Sequence, residues 1–190
     1  MQTASTQQPR LVFDAQDIAG GIGRLADGIL TRHADPSRLA LVGIHTGGDL
    51  LLRRLEAAMA ARLGREPLDL DKGLVDIAFY RDDWTRLGQV PQLNDTVISF
   101  PVNGRRVVLI DDVVFTGRTV RSALEAVFSL GRPASVELAV LVDRGHREMP
   151  IQPDHTGLSM KTQRNESVNV FLYPEPDKDH VLLEPGKYRE

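Results

Sequence analysis

Asp111 and Asp112 are adjacent carboxylates placed directly after the unbroken apolar run Val107-Val108-Leu109-Ile110. A run without alternation is how a strand buried on both faces reads, and the strand is expected to stop at the acid pair. Two carboxylates in that position need a partner, because an uncompensated charge at the end of a buried strand is costly. Four to five residues on, Thr116-Gly117-Arg118-Thr119 opens an apolar repeat at helical spacing, Val120, Leu124, Val127 and Phe128. Hydroxyls at a helix start, a glycine that lets backbone approach a ligand, and first-turn N–H groups at the positive end of the helix dipole suit a phosphate. Arg118 adds charge there. Adjacent carboxylates are good acceptors for a vicinal diol, and the carboxyl end of a central strand is where open α/β sheets bind ligands. One phosphate and one diol, about a ribose apart, describe a ribose 5-phosphate; the plainer alternative is that the acid pair only caps the helix.

The same grammar recurs twice. Leu39-Ala40-Leu41-Val42-Gly43-Ile44 reads as a buried strand, His45-Thr46-Gly47-Gly48 as a glycine-rich turn, and Leu50, Leu51, Leu55 and Met59 as the apolar side of a following helix. That turn is a second anion site by the same physics, and two phosphate sites imply a pyrophosphate-bearing ligand. Val136 to Val142 is a further strand, ending in the polar cluster Asp143-Arg144-Gly145-His146-Arg147. If the strands run parallel, three polar rims converge on one cleft. Gly131 and Pro133 end the central helix. Leu74 to Tyr80 reads as one more strand, and Leu87 to Asn103, with Pro91 and Pro101, as a long loop of the kind that forms lids. Trp84, the only tryptophan, reads as a packed or hinge residue.

The run Val108 to Thr119 resembles the phosphoribosyl-pyrophosphate motif of the type I phosphoribosyltransferases. Tyr80-Arg81-Asp82-Asp83, Gly131-Arg132-Pro133 and the stretch Leu141 to Ile151 are similar to the pyrimidine-operon attenuation regulator and uracil phosphoribosyltransferase family; the match runs from about Leu39 to about Leu172. The resemblance implies that Asp111 and Asp112 orient the ribose hydroxyls, and that Val113, Val114 and Phe115 with Thr116, Gly117, Arg118 and Thr119 form the 5-phosphate side of the site. It assigns His45, Thr46, Gly47 and Gly48 to the pyrophosphate loop. Many family members carry arginine where this chain has Gly47, which removes a charge from that loop. Asp143 and Arg144 fall near the ribose and pyrophosphate, and His146 and Ile151 near the pyrimidine. The long loop becomes a flexible hood over the site, with Arg81 the candidate for touching pyrophosphate when it closes. Mg²⁺ is the implied cofactor, bridging substrate oxygens and touching Asp111 and Asp112. The implied reaction joins uracil to phosphoribosyl pyrophosphate, giving UMP and pyrophosphate. The family also offers a UMP-responsive RNA-binding regulator of pyrimidine genes, acting on leader RNA, with little or no catalysis; transfer to a purine or orotate is disfavoured by the Asp143 to Ile151 match. A homodimer or larger homo-oligomer is implied as well.

Stepping from strand to helix to strand, the chain predicts an α/β fold, a mainly parallel twisted sheet flanked by helices with the hood inserted. Residues 1–10 read as a disordered arm, 11–173 as the phosphoribosyltransferase domain and 174–190 as a largely mobile tail. Within the domain, Leu11-Val12-Phe13 reads as a short edge strand or a hydrophobic lead-in. Asp14 and Asp17 read as an N-cap with first-turn charge, opening a helix with a stripe at Ile18, Ile22, Leu25, Ile29 and Leu30. Gly20, Gly21 and Gly23 suggest a close neighbour there, and His33 reads as a solvated last-turn residue. Val168 to Leu172 is the last expected strand.

At 190 residues, 42% hydrophobic and 26% charged, the composition is that of one globular domain. Without an apolar run of membrane-spanning length or a basic and apolar leader, a cytoplasmic protein is expected. The absence of cysteine excludes disulfides, thiolate catalysis and thiolate metal sites. A net charge of −3 argues against a general nucleic-acid binder. His146 has no partner at metal-ligand spacing.

Overall fold

The computed structural model describes residues 8–65, 68–77 and 96–186. Its centre is a six-stranded sheet built from β2 (Leu39–Ile44), β3 (Asp71–Val75), β4 (Val97–Ile98), β5 (Arg106–Val114), β6 (Ser135–Asp143) and β7 (His155–Ser159). The strand order is β4-β3-β2-β5-β6-β7, parallel throughout except where β4 pairs antiparallel with β3. The mainly parallel sheet read from the sequence is therefore present. All six residues of β2 are buried, which is why its sequence is apolar without alternation: both of its faces are covered. Leu39 and Leu41 of β2, Val108 and Ile110 of β5 and Ala139 and Leu141 of β6 pack on α1 (Ala15–Arg32) and α2 (Gly48–Leu63). The intervening Ala40, Val42, Val107, Leu109, Leu138 and Val140 pack on α3 (Arg118–Leu130).

The chain passes from β2 outward to β3 and β4, then returns past β2 to β5 on its other side. The reversal leaves a crevice between the carboxyl ends of β2 and β5, the place where doubly wound sheets take ligands.

Helix α1 begins as its sequence dictates. The Asp14 carboxylate accepts the Gln16 and Asp17 amides at 2.9 and 3.0 Å, and Asp17 accepts the Asp14 amide at 3.2 Å, closing a capping box. Of the glycines in this helix, Gly21 lies against Leu141 and Leu158, and Gly28 against the His155 ring.

Several expectations need correction. β5 does not stop at Ile110 but carries Asp111 and Asp112 on to Val114, because the pairing with β6 continues to Asp143. The strand expected at Leu74–Tyr80 lies at Asp71–Val75, where its register follows β2 from Ala40 to Ile44. Residues 78–95, which hold Arg81, Trp84 and most of the proposed hood, fall outside the described residues. The end of that expected loop is not all loop, because Val97–Ile98 pairs with β3 as β4. Phe128 is 55% exposed, the buried side of α3 being Val120, Ala123, Ala126 and Val127. β7 was hidden in the sequence by its polar residues.

Residues 174–186 are not a loose tail. β9 (His180–Glu184) lies between β1 (Arg10–Phe13) and β8 (Ser167–Phe171) in a separate antiparallel sheet. Val181 and Leu183 face the core from it at period two. Arg54 of α2 pairs with the buried Asp179 and donates to the Tyr173 carbonyl, and the Asp179 carboxylate accepts the Tyr173 amide at 2.8 Å. As expected, β1 is an edge strand.

His33 is not solvated. It is 4% exposed, and its Nε2 donates to the buried Glu137 carboxylate at 3.0 Å; His155 Nε2 donates to the same carboxylate at 2.9 Å, and Arg32 lies 3.2 Å from it. Burial pushes the Glu137 carboxyl up, but hydrogen bonds from His155 and His33 and the charge of Arg32 outweigh it and hold the group below its ordinary 4.5. A depressed carboxyl contributes stability above its unfolded value and loses it as pH falls through its folded value. Glu137→Ala strands two buried imidazoles, at about 3 kcal/mol. The expected result is a melting temperature roughly 6–12 °C lower at neutral pH, the deficit narrowing only below about pH 4.5; calorimetry across pH checks it.

Candidate functional site

Three loops meet at the crevice. After β5, Phe115-Thr116-Gly117 turns the chain into α3, with Gly117 in the left-handed region at φ 92°. The Thr116 hydroxyl accepts the Arg118 amide at 3.4 Å, and the Gly117 carbonyl accepts the Arg121 amide at 2.9 Å as the first helical bond. Thr116 and Gly117 are buried in the turn, while Arg118 and Thr119 are exposed at the helix start. A longer-range contact holds the turn from outside: the Thr116 carbonyl accepts both the Glu148 and Met149 amides, at 2.9 and 3.0 Å.

Asp111 is 5% exposed, and its Oδ1 accepts the Asp112 amide at 3.0 Å; Asp112 in turn accepts the Val113 amide at 2.8 Å. Burial, followed by the neighbouring Asp112 charge, pushes the Asp111 carboxyl well above its ordinary value. Burial also raises Asp112, against the opposing hydrogen bond from Val113. Two carboxylates held this way suit a diol or a cation.

Across the crevice, β2 is followed by His45, whose amide donates to the Val75 carbonyl at 2.9 Å, and the His45–Thr46 peptide is cis. Gly47 forms the cap of α2. A Cβ on Gly47 would fall 2.4 Å from the Asp112 carboxyl carbon, so a side chain at 47 and Asp112 in this position exclude one another. A Cβ on Gly48 would fall 2.6 Å from the Ile110 carbonyl oxygen and 3.0 Å from Gly43 Cα. Backbone thus meets backbone where β2, β5 and α2 cross.

The third loop follows β6. Asp143 accepts the Gly145 amide at 2.9 Å, and the Arg144 amide donates to the Val114 carbonyl at 3.3 Å. Arg144 is buried with its guanidinium 4.0 Å from the Phe115 ring centroid, and it donates to the Thr162 hydroxyl and the Gln163 carbonyl. Its charge is engaged by the frame of the site. His146, at φ 62°, donates from Nε2 to the Thr162 carbonyl at 2.7 Å and meets Phe115 edge-on. Ile151 packs beside Gly117. Arg118 donates to Glu148 at 2.8 Å, and Arg164 pairs with the same carboxylate, so both arginines hold it below the ordinary range, the Arg118 hydrogen bond most.

The structure therefore brings together Asp111, Asp112, the turn from Val113 to Thr119, the loop from His45 to Gly48, and Asp143, Arg144, His146 and Ile151. Sequence reasoning passed over Gly43, Arg147, Glu148 and Thr162. A glycine inside a buried strand signals close backbone approach, and that signal could have found Gly43; nothing local marks Thr162. No group of three or more His, Cys, Asp or Glu side chains among the described residues is placed to hold a metal ion. From the described residues, a divalent ion at this crevice would meet the Asp111–Asp112 pair, with a ligand able to supply further oxygens. No helix among the described residues is long and apolar enough to cross a membrane.

A phosphoribosyl transferase domain model matches residues 12–176. The chain is 47% identical over 175 residues to the Bifunctional protein PyrR of Syntrophobacter fumaroxidans, covering 92% of both chains. It is 43% identical over 172 residues to that of Thermus aquaticus, covering 90% of this chain and 93% of the relative. Among solved structures, the hypoxanthine phosphoribosyltransferase of Trypanosoma cruzi aligns with a TM-score of 0.65 at 21% identity, over 93% of this chain and 97% of that one. One from Staphylococcus aureus aligns at 0.62 and 20%, over 86% and 85%. These two likenesses establish the fold. Together with the glycine loop, the acid pair and the turn after β5 at one switch point, the sequence relatives place this chain in the phosphoribosyl transferase family, in the branch of the bifunctional PyrR proteins.

Proposed function

We propose that this chain is a uracil phosphoribosyltransferase of the pyrimidine-operon regulator type, forming UMP and pyrophosphate from uracil and phosphoribosyl pyrophosphate. The observation that carries the reading is the loop after β6, similar to that of the pyrimidine branch, hydrogen-bonded to the turn after β5 through Thr116. In this mechanism a uracil ring nitrogen forms a bond to C1 of the ribose as the C1–oxygen bond to pyrophosphate breaks, and the nitrogen's proton passes to solvent or the departing pyrophosphate. Asp111 and Asp112 accept hydrogen bonds from the ribose hydroxyls; Thr116 to Thr119 hold the 5-phosphate. His45 to Gly48 receive the pyrophosphate at the start of α2, and Ile151 with His146 bounds the base. Arg81 is assigned to the pyrophosphate. Asp111 and Asp112 would be the protein contacts of a substrate-borne Mg²⁺, which would supply charge neutralisation at the leaving group. Positioning and charge complementarity supply the rate.

The relatives are named as bifunctional, and the second activity proposed for this chain is regulation, by UMP-dependent binding of pyrimidine leader RNA by a homo-oligomer. UMP formation is to be measured with uracil, phosphoribosyl pyrophosphate and Mg²⁺, with hypoxanthine, guanine and orotate competing. Turnover with uracil alone is expected; preference for another base overturns the assignment. A gel shift with leader RNA, with and without UMP, decides the regulatory half.

A further inference from the structure

Arg147 lies in the loop after β6 but points back into it. Its side chain, 11% exposed, reaches four residues of the site at once. Nε donates to the Ile151 carbonyl at 3.1 Å, at the end of the loop; one terminal nitrogen donates to the Gly145 carbonyl at 3.1 Å, near its beginning, and to the Phe115 carbonyl at 3.0 Å, in the phosphate turn. The other terminal nitrogen pairs with Asp143 Oδ2 at 2.7 Å. Gly145 and His146, immediately before it, both have positive φ, 77° and 62°, and this reversal is what sends the Arg147 side chain inward. The planar fork of a guanidinium can serve acceptors in several directions at once; an ammonium on a flexible stem of similar length cannot hold the same set.

We propose that Arg147 is a positioning residue that sets the base site: it locks the loop from Gly145 to Ile151 in register with the phosphate turn, so that the pyrimidine is presented at a fixed distance from the ribose. The proposal rests on the function assigned above. Arg147 acts through Ile151 and Phe115. Its loss frees the loop carrying Ile151, while the phosphate turn keeps its own helix start and the pyrophosphate loop keeps its place on β2. The expected signature is selective, falling on the base and sparing phosphoribosyl pyrophosphate.

The test compares the wild-type chain with Arg147→Lys, which keeps the charge, and Arg147→Gln, which keeps neither charge nor fork. Amide hydrogen exchange is read at Glu148 and Met149, whose N–H groups donate to Thr116, against the interior of β5. At least a roughly tenfold faster exchange at those two amides is expected in both variants, with Val108 to Ile110 unchanged. In steady-state kinetics the KM for uracil is expected to rise roughly tenfold to a hundredfold, the range for lost hydrogen bonds to a charged group, with the KM for phosphoribosyl pyrophosphate within about threefold. Unchanged exchange at Glu148 and Met149 overturns the proposal, as does a parallel rise in both KM values, which marks a merely structural role. A wild-type chain without uracil turnover sinks the assigned function instead, and the exchange result then decides by itself whether Arg147 holds the loop.

Discussion

Replacing both Asp111 and Asp112 by asparagine is expected to lower kcat/KM for UMP formation by at least about a thousandfold, while the protein melts no lower than wild type. The activity loss follows from the proposed chemistry: the diol of the ribose loses two anionic acceptors, and the crevice loses the negative charge that answers a substrate-borne cation. The stability result follows from burial. Both carboxyls are raised above their ordinary values, by burial first and, for Asp111, by the neighbouring charge second. A raised carboxyl stabilises the fold fully only below its unfolded value, and that contribution is lost as pH rises through the folded value. At neutral pH the buried acid pair therefore weakens the protein. Asparagine keeps an oxygen to accept the Asp112 and Val113 amides, so the local hydrogen bonds at 3.0 and 2.8 Å survive. Relief of about 1–2 kcal/mol corresponds to a melting temperature higher by roughly 2–8 °C at pH 8, with less difference near pH 4. Calorimetry at the two pH values, beside a UMP assay, decides it. A folded double variant with normal turnover would remove the acid pair from the mechanism; a variant that melts much lower would mean that the carboxylates are structural.

Much of this site was legible because each of its pieces follows a strand whose own pattern is unmistakable. Val107 to Ile110 and Leu39 to Ile44 are buried on both faces, so their runs show without alternation and their carboxyl ends can be placed to a few residues. What was illegible depends on pairing rather than on local sequence. β5 runs past its acid pair because β6 lies alongside as far as Asp143, and nothing between Asp111 and Val114 says so. β9 was obscured by a charged and proline-containing neighbourhood, though Val181 and Leu183 alternate as a half-buried strand should. His33 looked like a helix-end cation because its partner Glu137 is 104 residues away. Arg147 was in view throughout, inside the motif that gave the family, yet its role needed the Phe115 and Ile151 carbonyls to be brought beside it. Gly47 shows the same limit: its lack of a side chain reads as a lost charge until Asp112 is found occupying the space.

Gly48 supplies the sharpest test of how fold and site are joined. Gly48→Ala is expected to destabilise the protein by about 3 kcal/mol, the upper part of the usual range for overpacking, and to weaken phosphoribosyl pyrophosphate binding by more than tenfold. The new methyl would lie 2.6 Å from the Ile110 carbonyl oxygen and 3.0 Å from Gly43 Cα. Gly43 and Ile110 are themselves register partners across the parallel β2 and β5 pair, so neither can retreat without disturbing the centre of the sheet. The start of α2 must lift instead, carrying the loop from His45 to Gly48, proposed to receive the pyrophosphate, away from Asp112. A melting temperature lower by roughly 6–12 °C is the stability readout, and calorimetric titration with phosphoribosyl pyrophosphate is the functional one. Gly20→Ala provides the contrast within the same chain. Its methyl would meet only the Arg24 side chain, at 3.5 Å, on an exposed face of α1. There the gain in helix propensity, about 0.5–1 kcal/mol, should raise the melting temperature. Were Gly48→Ala to melt and bind as wild type does, the close crossing of α2 over β2 and β5 would not be what sets the pyrophosphate loop. Were both variants to lose stability equally, the cost would belong to glycine replacement in general. The expected opposite signs assign it to the two backbone atoms that Gly48 alone allows to meet.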